Sequence, residues 1–279
     1  MPLLALFLVG PLVGTLVGGL RASDGGPDVT LLVGVSPVWG LMVGIVCVAA
    51  AALVGLAGAK FVDERTGMLS AGLVLSWAAW RTGLVTRVLA LDPAAWTLVK
   101  LAIEGAIIAG AALVLAALMH TISSKHGDGL ARHGSPIKEI GSKAGLAGMA
   151  VGAFAALVIA HVVVFSPMRG QALLGAIIGG IAAGALGRLT SIALSDKPVS
   201  PLPIYTSVVL AAAIGPLIGL FAPGSDRLVG AIAAGTVPGP VMVQPLDWAA
   251  GLLVGVPIGL GWAAASVGKT QHAKSVGVR

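Results

Sequence analysis

Arg81, Lys100 and Glu104 are ionisable residues set inside long apolar runs, where an unpaired charge is not tolerated. Arg81 lies eleven residues before Asp92, and Glu104 eleven residues after Pro93. If Asp92-Pro93 is the turn of an antiparallel helical hairpin, both charges fall at one depth. At a rise of about 1.5 Å per residue that depth is roughly 15 Å, the middle of a hydrocarbon core about 30 Å thick. An uncompensated charge there costs about 3 kcal/mol or more, so it must be paired or meet water. Lys100 precedes Glu104 by one turn on the same helix face, and Trp96 precedes Lys100 by another.

Two chemistries fit this constellation. Glu104 could be alternately protonated as a coupling group, with Arg81 and Lys100 as counter-charges or anion ligands. A static Arg81–Glu104 pair could instead fix the register of the hairpin, and removing one partner would then cost about 3–5 kcal/mol.

Other chemistry finds little support. His120 and His161 are expected at opposite membrane faces, and His126 and His133 sit in a basic loop without cysteine or carboxylate neighbours. No spacing fits a metal or haem site, so no metal and no cofactor are expected. Motifs for metalloproteases, serine hydrolases and phosphate-binding loops are missing, and no catalytic residue is assigned. Gly127-Asp128-Gly129 reads as a turn. Cys47, the single cysteine, has no disulfide partner within the chain and reads as a packing residue.

The elements that must position these residues are transmembrane helices. The 279 residues are 57% hydrophobic and 10% charged, with a mean hydropathy of +1.01, whereas soluble domains carry about 25% charged residues. No segment is polar enough for a separate soluble domain, so residues 1–279 form a single integral membrane domain. The expected fold is all-α: a polytopic bundle of about eight spans, at about 2–20, 38–61, 70–91, 94–119, 144–165, 171–194, 204–221 and 247–267. The first reads as a retained span, because it lacks the basic flank of a secretory signal. Ser36-Pro37, Asp92-Pro93, Ser166-Pro167 and Ser200-Pro201 each precede an apolar run and read as an N-cap followed by proline at the first helical position. The third span is the least apolar.

Forty-one glycines lie largely within the spans. Gly175, Gly179, Ala183 and Gly187 are spaced by four, as are Gly251, Gly255 and Gly259, which lets helix backbones approach closely in lipid. Pro216 and Pro257 fall mid-span, where each removes a backbone hydrogen bond and favours a kink or hinge. Residues 228–243 are too short to span and too apolar for an ordinary loop. They read either as a re-entrant cavity element or as a helix on the membrane surface.

The formal net charge is +6. With eight spans, eleven basic residues fall on the side of both termini and four on or near the other, which places the termini in the cytoplasm of an inner or plasma membrane. The basic residues therefore read as topology signals, and nucleic acid is not expected. The lipid bilayer is the first partner implied. The basic loop 120–143 offers a surface to a protein or to anionic lipid, and a homo-oligomer is compatible with the glycine rows. The leading functional expectation is a secondary transporter or channel-like permease with its polar site on the third–fourth helix hairpin. The alternative is a non-catalytic membrane subunit that scaffolds a larger complex.

Overall fold

A computed structural model describes residues 1–91, 94–124, 140–195, 200–222 and 228–276. Among these residues every regular element is helical: α1 (Pro2–Gly18), α2 (Pro37–Phe61), α3 (Glu64–Trp80), α4 (Val85–Leu91), α5 (Ala94–Ser124), α6 (Lys143–Val163), α7 (Arg169–Ala193), α8 (Leu202–Leu217), α9 (Leu228–Ala233) and α10 (Pro245–Val276). The chain is a multi-pass helical membrane bundle. Among the described residues six helices are long and apolar enough to cross a bilayer: α2, α5, α6, α7, α8 with its 3₁₀ extension Ile218–Phe221, and α10.

That is six rather than about eight, and the shortfall has a local cause in each case. α1 ends at Gly18 and covers seventeen residues, about 25 Å. The expected span 70–91 is not one helix. Its first part belongs to α3, a seventeen-residue helix that begins at Glu64 and stops at Trp80, where the Arg81 and Thr82 amides turn back to Ala78 and Ala79. Gly83 then donates its amide to the Val29 carbonyl at 2.7 Å, and the chain restarts as α4. Gly83 is required at this break, since a Cβ would meet the backbone of Asp28 and Val29. The Asp92-Pro93 turn lies outside the described residues.

α1 and α3 lie side by side, joined through a defect in α1. Residues Ala5–Val9 form a π turn, so the Gly10 amide bonds to Ala5. The next donor in that register would be Pro11, which has none. The Leu6 carbonyl instead accepts the Trp77 indole N–H at 2.8 Å. Gly10 makes room for that indole, because a Cβ there would overlap the ring.

The helix entries follow capping chemistry with some displacement. Ser36 accepts the Trp39 amide with Pro37 at the first helical position, Asp63 accepts the Thr66 amide, and Ser142 accepts the Gly145 amide. At Ser166-Pro167 the expected cap does not form: α7 begins at Arg169, and Ser166 donates to the Gln171 side-chain oxygen from both its amide and its hydroxyl. Ser200 reaches the Leu202 amide, but the residue preceding the helix is Pro201.

Small residues set the closest packing, among α6, α7 and α10. The row Gly175, Gly179 and Gly187 lies against α6 and the residue that follows it: a Cβ on Gly179 would press on Ala156, and one on Gly187 on the Gly148 carbonyl. The Val164 side chain fills the space at Gly175. The adjacent face of α7, through Ala176, Gly180 and Gly184, meets Gly251, Gly255 and Gly259 of α10. α7 is thus clamped on two faces by backbone-to-backbone contact. Pro216 and Pro257 lie inside α8 and α10. Pro216 cannot donate to the Ala212 carbonyl, and that carbonyl rests against Gly105 of α5, one residue from Glu104.

Residues 228–243 divide. α9 is followed by an exposed turn with Gly235 at φ +70°, and Gly239–Met242 then forms a 3₁₀ turn buried among helix ends. Gly239 packs on the Ala160 and Val164 carbonyls and donates its amide to His161 Nδ1 at 3.3 Å. The surface-helix reading therefore fails for the second half, which is irregular backbone enclosed by protein.

Candidate functional site

Glu104 is placed by α5, ten residues and about 15 Å from its start, and is 1% exposed. Its partners come from the loop between α1 and α2. Residues 29–33 of that loop fold inward: Val29, Thr30, Leu31 and Val33 are all buried. A tight turn, with Thr30 donating its amide to the Val33 carbonyl, exposes two donors at its tip. The Thr30 hydroxyl donates to Glu104 Oε2 at 2.6 Å, and the Leu32 amide donates to the same oxygen at 2.8 Å. Oε1 is buried with no partner. Gly40 lets the loop settle on α2, since a Cβ there would overlap the Leu31 carbonyl.

A second polar node adjoins the first through the loop backbone. Asp28 Oδ1 accepts the Leu84 amide at 3.1 Å and lies 3.9 Å from Arg169 Nη2. Arg169 Nη1 donates to the Trp80 carbonyl at 2.9 Å, capping the broken end of α3. Gln244 donates its side-chain amide to the Gly83 carbonyl, and its own backbone amide goes to Asp247 Oδ2 at 3.0 Å. Gln244 and Asp247 stand as N-cap and third residue of α10, so Asp247 supplies half of a capping box. A continuous route of bonds therefore runs from Glu104 through Thr30 and Val29 to Gly83, Gln244 and Asp247. Thr97 Oγ1, Gln244 Oε1, Arg169 Nε and Trp248 Nε1 are buried without partners.

The expected Arg81–Glu104 pairing is not what the structure contains. Arg81 caps the end of α3, exposed, with its side chain along Gly14 and Gly18 of α1. The break at 81–84 removes the depth match, and Glu104 takes its two donors from uncharged groups of the loop, the Thr30 hydroxyl and the Leu32 amide. Lys100 sits half-buried one turn from Glu104. At the other face, His120 Nδ1 lies 3.1 Å from Glu64 Oε2, joining the end of α5 to the start of α3. Most of the basic loop 120–143 lies outside the described residues.

Sequence reasoning missed Thr30, Asp28, Arg169, Gln244 and Asp247. The signal for Thr30 is present: 29–35 is an apolar run broken by one threonine, too short to span and too apolar for a loop. That argument picked out 228–243 and applies equally here. Gln244-Pro245 followed by Asp247 is a recognisable helix entry. A cavity of about 220 Å³ lies beside this loop, bounded by Arg21, Thr30, Leu31, Gly34 and Trp39. No protein-family model, curated protein or solved structure matches this chain.

Proposed function

We propose that this chain is a secondary transporter or channel-like permease in which Glu104 is the ion-coupling carboxylate. One observation carries the reading: a carboxyl group inside a membrane-spanning helix is held by an irregular, inward-folded loop and keeps one oxygen without a partner. Intramembrane acids of this kind mark ion and proton pathways. Irregular backbone enclosed at membrane depth, and an interrupted helix beside it, are recurrent features of transporter sites. The loop tip at Thr30 and Leu32 is the part that must move for an ion to reach Glu104, and the adjoining cavity gives it somewhere to move. A proton is the first candidate ion, because Thr30 can donate to either protonation state. Arg81 is not part of this site, and Lys100 lies one turn from Glu104 on the same helix.

The test is reconstitution of the whole chain in liposomes holding a pH-sensitive dye, with an imposed potential. Wild type is expected to carry a proton-linked flux and Glu104→Gln to lose it while eluting as wild type. Equal flux in both, or none in wild type, overturns the reading. A second reading, the scaffold subunit, draws on the rigid glycine clamp of α6, α7 and α10. It predicts extraction in fixed stoichiometry with other proteins, and the transporter reading predicts the chain alone or as a homo-oligomer.

A further inference from the structure

A groove of about 440 Å³ lies on the outside of the bundle between α3 and α10, at the opposite face from the loop site. The two helices are tightly packed at Gly72, where a Cβ would overlap Val254. Towards the membrane face they separate. Near Gly261 it is the full length of the Arg65 side chain that spans the gap, its Nη2 within 3.5 Å of where a Gly261 Cβ would stand. Pro257 lies in the part of α10 that walls the opening. The walls are Leu69, Val254 and Ile258, with Trp262 beside Arg65 at the mouth, 61% exposed.

Charge and shape point to one occupant. Arg65 is exposed; its backbone amide and its charge both favour the ionised Asp63 carboxyl, but among the described residues no carboxylate lies within 4.0 Å of its guanidinium. Of the two adjacent acids, Asp63 is engaged in capping α3 through Thr66, both amide and hydroxyl, and Glu64 lies against His120. That leaves a guanidinium in the first turn of α3, and so at the membrane face, above an apolar slot open to the bilayer. Arginine forks bind phosphate bidentately, and interfacial tryptophan sits at headgroup level. A free anion would meet Arg65 and waste the slot, whereas a lipid fills both.

We infer that this groove binds one acidic phospholipid, its phosphate on Arg65 and an acyl chain along Leu69, Val254 and Ile258. The inference is independent of the transport reading. The test is native mass spectrometry of the full chain released from bilayers of equal dioleoyl phosphatidylglycerol and dioleoyl phosphatidylcholine. Wild type is expected to retain phosphatidylglycerol with about fivefold preference, the scale of one basic side chain near a membrane surface. Arg65→Gln should remove the preference, Arg65→Lys should keep part of it, and Ile258→Trp should lower retention of both lipids by filling the slot. Equal retention of the two lipids by wild type, unchanged preference in Arg65→Gln, or full displacement by inorganic phosphate overturns the inference.

Discussion

Thr30→Val isolates the bond on which the central site depends. Valine keeps the shape of threonine and removes the hydroxyl that donates to Glu104 Oε2 at 2.6 Å. It also removes the acceptor of a longer 3.3 Å bond from the Val33 amide. Glu104 Oε1 has no partner to compensate, and Thr30 is 1% exposed. A hydrogen bond to an ionised group is worth about 1.5–3 kcal/mol and one to a neutral group about 0.5–1.5 kcal/mol. Thr30→Val is therefore expected to cost about 1.5–3 kcal/mol if the carboxyl is ionised in the resting protein. In a Glu104→Gln background the same substitution should cost about 1 kcal/mol, and the difference is the coupling energy of the pair. Thr30→Ser keeps the hydroxyl and loses one methyl, about 0.8 kcal/mol. The chain supplies its own reporter: Cys47, the only cysteine, is fully buried on α2, the helix against which the loop packs, so maleimide labelling across a denaturant series reads the opening free energy. A cost for Thr30→Val equal to or below that of Thr30→Ser would refute the claim that the hydroxyl holds the loop on Glu104.

Other consequences can be checked with the same reporter. Gly255→Ala should destabilise by about 1–3 kcal/mol, because its methyl would overlap the Ile177 carbonyl on α7. Gly110→Ala, whose Cβ meets nothing within 4 Å, should instead stabilise α5 by up to about 1 kcal/mol. Trp77→Phe should cost about 1 kcal/mol by leaving the Leu6 carbonyl without its donor. Asp63→Ala should cost about 1 kcal/mol at neutral pH through loss of the α3 cap. The Thr66 amide holds the Asp63 carboxyl below its ordinary range. The wild-type advantage should therefore persist above about pH 4, shrink as pH falls below it, and vanish once the folded carboxyl is protonated, which a pH series of labelling rates would follow.

Uniformly apolar stretches were the legible part of the sequence. The run from Val38 to Phe61 can only be a buried or lipid-facing helix, and the helix Pro37–Phe61 is there. Glycines four apart on α7 and α10 declared close packing, though not that α7 would use one small face for α6 and its neighbour for α10. The break at 81–84 was not legible, because it depends on a tertiary bond from Gly83 to Val29, fifty-four residues earlier. Once α3 stops at Trp80, any argument from equal depth to an Arg81–Glu104 pair loses its premise. Glu104 itself stood out because an acid in an apolar helix demands a partner. Its partner is a neutral hydroxyl and a backbone amide, and backbone donors carry no sequence signature. Loop 29–33 shows that a segment too apolar for solvent must be placed somewhere, even when glycines and aspartates precede it.

The most direct measurement of the central claim is infrared difference spectroscopy of the reconstituted protein across a pH series, with ion flux recorded on the same samples. The account predicts a carboxyl band that titrates in step with the flux, shifts in Thr30→Val, and is absent in Glu104→Gln together with the flux. A Glu104 band that never changes protonation while flux proceeds, or flux that survives Glu104→Gln, would contradict it.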